Sequence, residues 1–109
     1  MADVSDMIKE TINNNDVALF IKGTAKMPTC GFSAAVVQIF NKLGVAYKDV
    51  NIYSAEGLPP ALKAISNWPT FPQVFVKGEL IGGCDITREM FETGELQQLL
   101  KEKNIAFAA

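Results

Sequence analysis

Few residues in this chain can do redox or metal chemistry: there are two cysteines, Cys30 and Cys84, and no histidine. Without an imidazole there is no Ser-His-Asp triad, no Cys-His dyad and no His-ligated zinc. Two cysteines also cannot build a structural Cys₄ zinc site within one chain. Cys30 stands after Pro28-Thr29 and before Gly31 and an apolar run, in the stretch AKMPTCGFSAAVV. A cysteine at a helix start faces free backbone N–H groups and about half a positive charge. Lys22 and Lys26 precede it closely. All of these favour thiolate over thiol, and reactive cysteines occupy such settings. The other reading is a small apolar core residue, as free cysteine commonly is, and position alone does not separate the two. Where a C-x-x-C redox motif would place a second thiol, the chain has Ser33. A serine cannot resolve a mixed disulfide, so a dithiol mechanism is excluded. What remains is a monothiol site that uses an outside thiol or serves as a ligand.

The elements that must position Cys30 follow from periodicity. Val4, Met7, Ile8 and Ile12 recur at helical spacing over Val4–Asn14, with Asp3 or Ser5 available as a cap. Val17–Lys22 is a wholly apolar run ending in Lys22 and reads as a strand buried on both faces. Gly23–Thr29 is loop. Phe32, Val36, Ile39, Phe40 and Leu43 give a second helix, closed by Gly44. Ala46–Ile52 reads as a strand and Gly57–Asn67 as a helix. Gln73–Lys77 and Glu79–Gly82 read as a hairpin about Lys77-Gly78. Two short helices, Ile86–Phe91 and Glu95–Lys103, flank Gly94. The final Ile105–Ala109 is expected to fray. The first half is therefore a βαβ unit with a right-handed crossover, and Cys30 lies in its βα turn, where open α/β sheets bind ligands.

Composition narrows the partners. A chain of 109 residues with 49% hydrophobic residues suggests one domain spanning 1–109. A net charge of −2 without a basic patch argues against nucleic acid. No apolar stretch approaches the ~20 residues of a membrane helix. The start, Met-Ala-Asp-Val-Ser-Asp, has neither a basic nor an apolar leader region. The simplest expectation is cytoplasmic, with a mitochondrial matrix or plastid location after processing as the alternative.

Four ordered motifs carry a resemblance: Lys22-Gly23-Thr24, Cys30-Gly31-Phe32-Ser33, Trp68-Pro69-Thr70-Phe71-Pro72-Gln73 and Gly82-Gly83-Cys84-Asp85. Together they resemble the monothiol glutaredoxins of the CGFS type, over most of the chain. The resemblance implies an α/β, thioredoxin-like (glutaredoxin) fold with a central four-stranded mixed sheet flanked by helices. It implies glutathione binding and a [2Fe–2S] cluster bridged between two subunits of a homodimer. It also implies transfer to apo iron–sulfur acceptor proteins, pairing with BolA-like proteins and weak glutathione–disulfide oxidoreductase activity. A [2Fe–2S] centre takes four thiolates. Two chains supply two, and two glutathione thiolates complete the set unless Cys84 also ligates, which the resemblance does not imply.

Carried onto these residues, Cys30 is the reactive thiol and the cluster ligand. Lys22 and Lys63 meet glutathione carboxylates. Thr70-Phe71-Pro72, with a cis bond at Phe71–Pro72, offers backbone hydrogen bonds to the glutathione cysteine. Gly83 lets the backbone come close, and the backbone of Cys84 with Asp85 meets the γ-glutamyl end. Asp85 is also a plain candidate for a helix cap, and Lys22 and Lys63 for ordinary surface charges. Trp68 reads mainly as packing. The chain departs from the pattern twice. Pro59 stands where many relatives carry an Arg, which removes one contact to the glycine carboxylate. Ala25 stands where a Pro is often found, which leads one to expect a looser loop before Cys30. Two rival functions use the same thiolate: a glutathione-dependent deglutathionylating reductase without a cluster, and a redox-regulatory protein with a Cys30–Cys84 disulfide.

Overall fold

The computed structural model describes residues 3–108. Five helices and four strands follow one another in the order α1 (Val4–Asn14), β1 (Val17–Ile21), α2 (Gly31–Leu43), β2 (Lys48–Asn51), α3 (Leu58–Ser66), β3 (Gln73–Val76), β4 (Glu79–Gly82), α4 (Cys84–Thr93) and α5 (Glu95–Glu102). The sheet runs β2-β1-β3-β4. β1 pairs with β2 in parallel, while β1–β3 and β3–β4 are antiparallel. A parallel βαβ unit thus joins an antiparallel hairpin, as the order of periodicities requires.

Every residue of β1 is buried, because this central strand is covered on both faces. Its alternate side chains feed two cores. Val17, Leu19 and Ile21 pack with Val36, Phe40, Leu96 and Leu100, the layer of α2 and α5. Ala18 and Phe20 pack with Ile8, Ile12, Leu58 and Leu62, the layer of α1 and α3. Phe20 and Phe75 meet edge to face, with ring centroids 5.6 Å apart. Both faces of the strand that leads to Cys30 are therefore filled, which gives the site a rigid floor.

Three local expectations change. β2 is shorter than Ala46–Ile52, because the Val45 N–H is bound to the Phe40 carbonyl at the exit of α2 and the ladder starts only at the Ala18–Lys48 pair. α4 begins at Cys84, two residues before Ile86. The C-terminal segment does not fray through residue 108, although Ala109 lies outside the described residues. Ile105 is buried in the first core and Phe107 packs beside it. The Ala108 N–H donates to the Leu43 carbonyl at 2.6 Å. Ile105→Ala is therefore expected to cost about 2 kcal/mol or more in urea unfolding, and an unchanged midpoint would contradict the docking.

Candidate functional site

Cys30 occupies the N-cap of α2 in extended backbone, and its carbonyl accepts the Ala34 N–H at 2.9 Å, the first bond of the helix. The side chain is half-buried. Its pKa lies below the ordinary thiol value, chiefly because the Ser33 N–H donates to the sulfur. Desolvation opposes this. The Phe32 N–H, the Lys22 charge and the Ser33 hydroxyl add to the lowering. The free donors of the helix start are thus what hold the thiolate. Lys26, by contrast, is exposed in the loop and does not line the groove.

Ser33 does more than replace a second thiol. It is fully buried, its Oγ accepts the Lys22 N–H at 3.0 Å, and its hydroxyl supports the Cys30 sulfur. One side chain therefore ties the end of β1 to the thiolate. Alkylation of Cys30 by iodoacetamide across a pH series is expected to show a midpoint below that of a free thiol, moved part of the way back up by Ser33→Ala. A midpoint at the ordinary value, or one that ignores Ser33→Ala, would contradict this account. The linkage has a definite sign. With the folded pKa depressed, the ionised Cys30 adds stability above the unfolded value, and this is lost as pH falls through the folded value.

A groove of about 460 Å³ opens over Cys30. Its walls include Lys22, Lys63, Thr70 and Phe71 together with Gly83, Cys84 and Asp85. Of the residues the sequence assigns to the thiol and to glutathione, only Pro72 does not line it; Pro72 is buried, and its carbonyl lies close to Gly83. A Cβ on Gly83 would come 3.2 Å from that carbonyl and 3.4 Å from Trp68 Nε1, a tight fit in which a side chain would have to push the Pro72 carbonyl back by a few tenths of an ångström. The Phe71–Pro72 bond is cis. The buried Gln73 amide donates to the carbonyls of Trp68 and Thr70, at 3.1 and 3.2 Å, and so pins the loop that carries this wall. The Lys63 ammonium sits 5.4 Å from the centroid of the Phe71 ring, a cation–π distance. Pro59 lies in the first turn of α3 and does not reach the groove.

The second cysteine behaves in the opposite way. Cys84 is 7% exposed, and burial pushes its thiol up. Arg88 pulls it part of the way back, donating to the sulfur at 3.4 Å, while Asp85 and Cys30 raise it. Both cysteines are free. Asp85 is not the cap expected from sequence: Gly83 is the N-cap of α4, without a side-chain bond, and Asp85 lies exposed inside the first turn. Sequence reasoning missed Phe32 and Ile86, which line the groove and are 59% and 37% exposed, giving the thiolate an apolar rim. It also missed Arg88, although its place one helical turn after Cys84 was a readable signal.

The loop before Cys30 is not slack either. The Ala25 N–H donates to Asp49 Oδ2 at 2.8 Å, so the residue expected to loosen the loop is one that ties it down. Gly23 has φ +89°, and a Cβ there would lie 2.5 Å from the Met27 carbonyl, so this turn requires glycine.

A four-stranded mixed sheet ordered β2-β1-β3-β4, with a cysteine at the first βα turn, defines a thioredoxin-like protein. The comparisons narrow this class. The glutaredoxin family model matches residues 17–81. The chain is 51% identical over 96 residues to a protein of Rickettsia typhi named probable monothiol glutaredoxin 2, covering 88% of this chain and 86% of that one. Its fold is similar to the solution structure of a monomeric truncated mutant of Trypanosoma brucei 1-C-Grx1, with TM-score 0.91, 35% identity and coverage of 100% and 99% of the two chains. It is also similar to a buckwheat glutaredoxin–glutathione complex, with TM-score 0.81, 27% identity and coverage of 93% and 90%. The chain belongs to the glutaredoxin family, among its monothiol members. Among the described residues no helix is long and apolar enough to cross a membrane.

Proposed function

We propose that the groove binds glutathione with its thiol beside Cys30, and that two such complexes together carry a [2Fe–2S] cluster as cargo for apo-proteins. The observation that carries this reading is the lone thiol of Cys30 at the start of α2, its pKa held below the ordinary thiol value, with Ser33 where a resolving thiol would stand. Glutathione bears two carboxylates, one ammonium and one thiol. The groove offers Lys22 and Lys63 for carboxylates and Asp85 for the ammonium. In the proposed pose the glycine carboxylate lies toward Lys22 and Lys63. The cysteinyl backbone runs along Thr70-Phe71-Pro72, and the γ-glutamyl end meets the backbone at Gly83-Cys84 and the Asp85 side chain. The solved glutathione complex of a buckwheat relative supports this reading.

The donor set fits a shared cluster and not a closed one. Among the described residues no group of three or more His, Cys, Asp or Glu could hold a metal ion, and Cys84 is buried with its thiol pushed up. A [2Fe–2S] cluster takes four thiolates. One Cys30 and one glutathione per chain, doubled in a homodimer, supply four. The apolar rim of Phe32 and Ile86 would exclude water between the two chains. BolA-like proteins and apo iron–sulfur acceptors are the partners proposed for the loaded form, and a weak glutathione–disulfide oxidoreductase activity would use the same thiolate.

A glutathione titration followed by amide NMR tests the first half. Resonances of Lys22, Phe71, Cys84 and Asp85 are expected to shift together, and Lys63→Glu is expected to weaken binding about tenfold. Shifts confined to other parts of the chain, or none, would contradict the assignment.

A further inference from the structure

The Gly23–Thr29 segment carries the chain from β1 to Cys30, and it is closed on itself. The Thr29 N–H donates to the Lys22 carbonyl at 3.0 Å, and Thr24 and Met27 exchange backbone bonds of 3.2 and 3.1 Å. The N–H groups of Gly23 and Ala25 go instead to side chains of β2: Gly23 donates to Asn51 Oδ1 at 3.2 Å and Ala25 to Asp49 Oδ2 at 2.8 Å. Asp49 and Asn51 are two apart on one strand, so both project from the same face. Asn51 also accepts the N–H of Tyr53, two residues on, a local bond that asparagine commonly makes. Asp49 is different. It is half-buried, and among the described residues it pairs with no cation; the hydrogen bond found for its carboxylate is the one to the loop. Such charge-assisted bonds are short and strong. Ala25 itself packs against the first core.

We propose that Asp49 is a positioning residue for Cys30: by accepting the Ala25 N–H, its carboxylate holds the Gly23–Thr29 loop and so fixes the thiolate against the first turn of α2. It acts through the loop and does not line the groove. The device depends on residue 25 having an N–H at all, which a proline would lack. It rests on the reading of Cys30 as the working thiolate, and its test does not require glutathione or a cluster.

Asp49→Ala is expected to speed exchange of the Ala25 amide about tenfold and to slow Cys30 alkylation at neutral pH about threefold. The sign is informative. Removal of a negative charge alone would lower the thiol pKa and speed alkylation, whereas release of the loop lets Cys30 drift off the Ser33 and Phe32 N–H donors of α2 and slows it. Asp49→Asn keeps an acceptor oxygen and is expected to stay close to the unaltered protein. Beside Ala25→Pro, which removes the donor, Asp49→Ala is expected to change alkylation less than about twofold, since the two residues act as one unit. If Asp49→Ala does not fold, Asp49→Glu displaces the carboxylate by one methylene and serves the same comparison. Unchanged Ala25 exchange and Cys30 alkylation in Asp49→Ala would overturn the proposal. So would faster alkylation, an equal loss in Asp49→Asn, or an undiminished effect beside Ala25→Pro. If Cys30 in the unaltered protein reacted like an ordinary thiol, the thiolate reading would fall, and Ala25 exchange would still judge the clamp.

Discussion

Cys30→Ser is expected to abolish the visible chromophore that the proposed function predicts on anaerobic incubation with iron, sulfide and glutathione, and with it any thiol transfer. The groove presents one sulfur per chain whose pKa is lowered, and removing it would take two of the four ligands from the proposed shared cluster. The substitution alters a half-buried side chain at a helix cap, and serine is itself a favoured N-cap residue, so the fold should persist. Circular dichroism of the variant separates loss of ligand from loss of structure. Cys84→Ser keeps the backbone assigned to glutathione and removes only a buried sulfur with its thiol pushed up. It is expected to retain most of the colour. A colourless Cys84→Ser protein, or a coloured Cys30→Ser protein, would transfer the ligand role to the other cysteine.

The largest effect on stability is expected at Phe20. This side chain is fully buried in the middle of the central strand and meets Phe75 edge to face. Phe20→Ala opens a cavity, for about 3–5 kcal/mol, and loses an aromatic pair worth about 0.5–1.5 kcal/mol beyond its area. Domains of this kind hold only about 5–15 kcal/mol in total, so the variant should unfold at a much lower urea midpoint or fail to fold. Phe20 lies in the α1–α3 core, opposite the layer that carries α2. If Phe20→Ala folds at all, Cys30 should keep its low alkylation midpoint. A loss below 1 kcal/mol by urea unfolding would mean that this core relaxes around the gap.

Much of the fold was legible because single residues carry unambiguous signals. The spacing of Val4, Met7, Ile8 and Ile12 marks α1, the run Val17–Lys22 marks a strand covered on both faces, which ends one residue earlier at Ile21, and Gly44 stops α2. What was not legible depends on where the chain goes in space. Ile105 and Phe107 carry no periodicity, and only the exit of α2 shows that residues 105–108 have a surface to dock on. The true start of α4 was hidden because Cys84 and Asp85 do not look like the apolar face of a helix. At the site, Cys30 and Lys22 were readable from their place at the βα turn. Ser33 was readable only as a missing thiol; its service to both Lys22 and the sulfur needs the backbone of β1 beside α2. Asp49 was invisible for the same reason, since it is 24 residues from Ala25 in sequence.

The proposed function has one thiolate per chain working with a sulfur borrowed from glutathione. Native mass spectrometry of the anaerobically reconstituted protein tests it most directly. The expected species is two chains, one Fe₂S₂ unit and two glutathiones, and it should fall to apo monomers when the cluster is bleached. A loaded single chain, or a loaded pair without glutathione, would contradict the account.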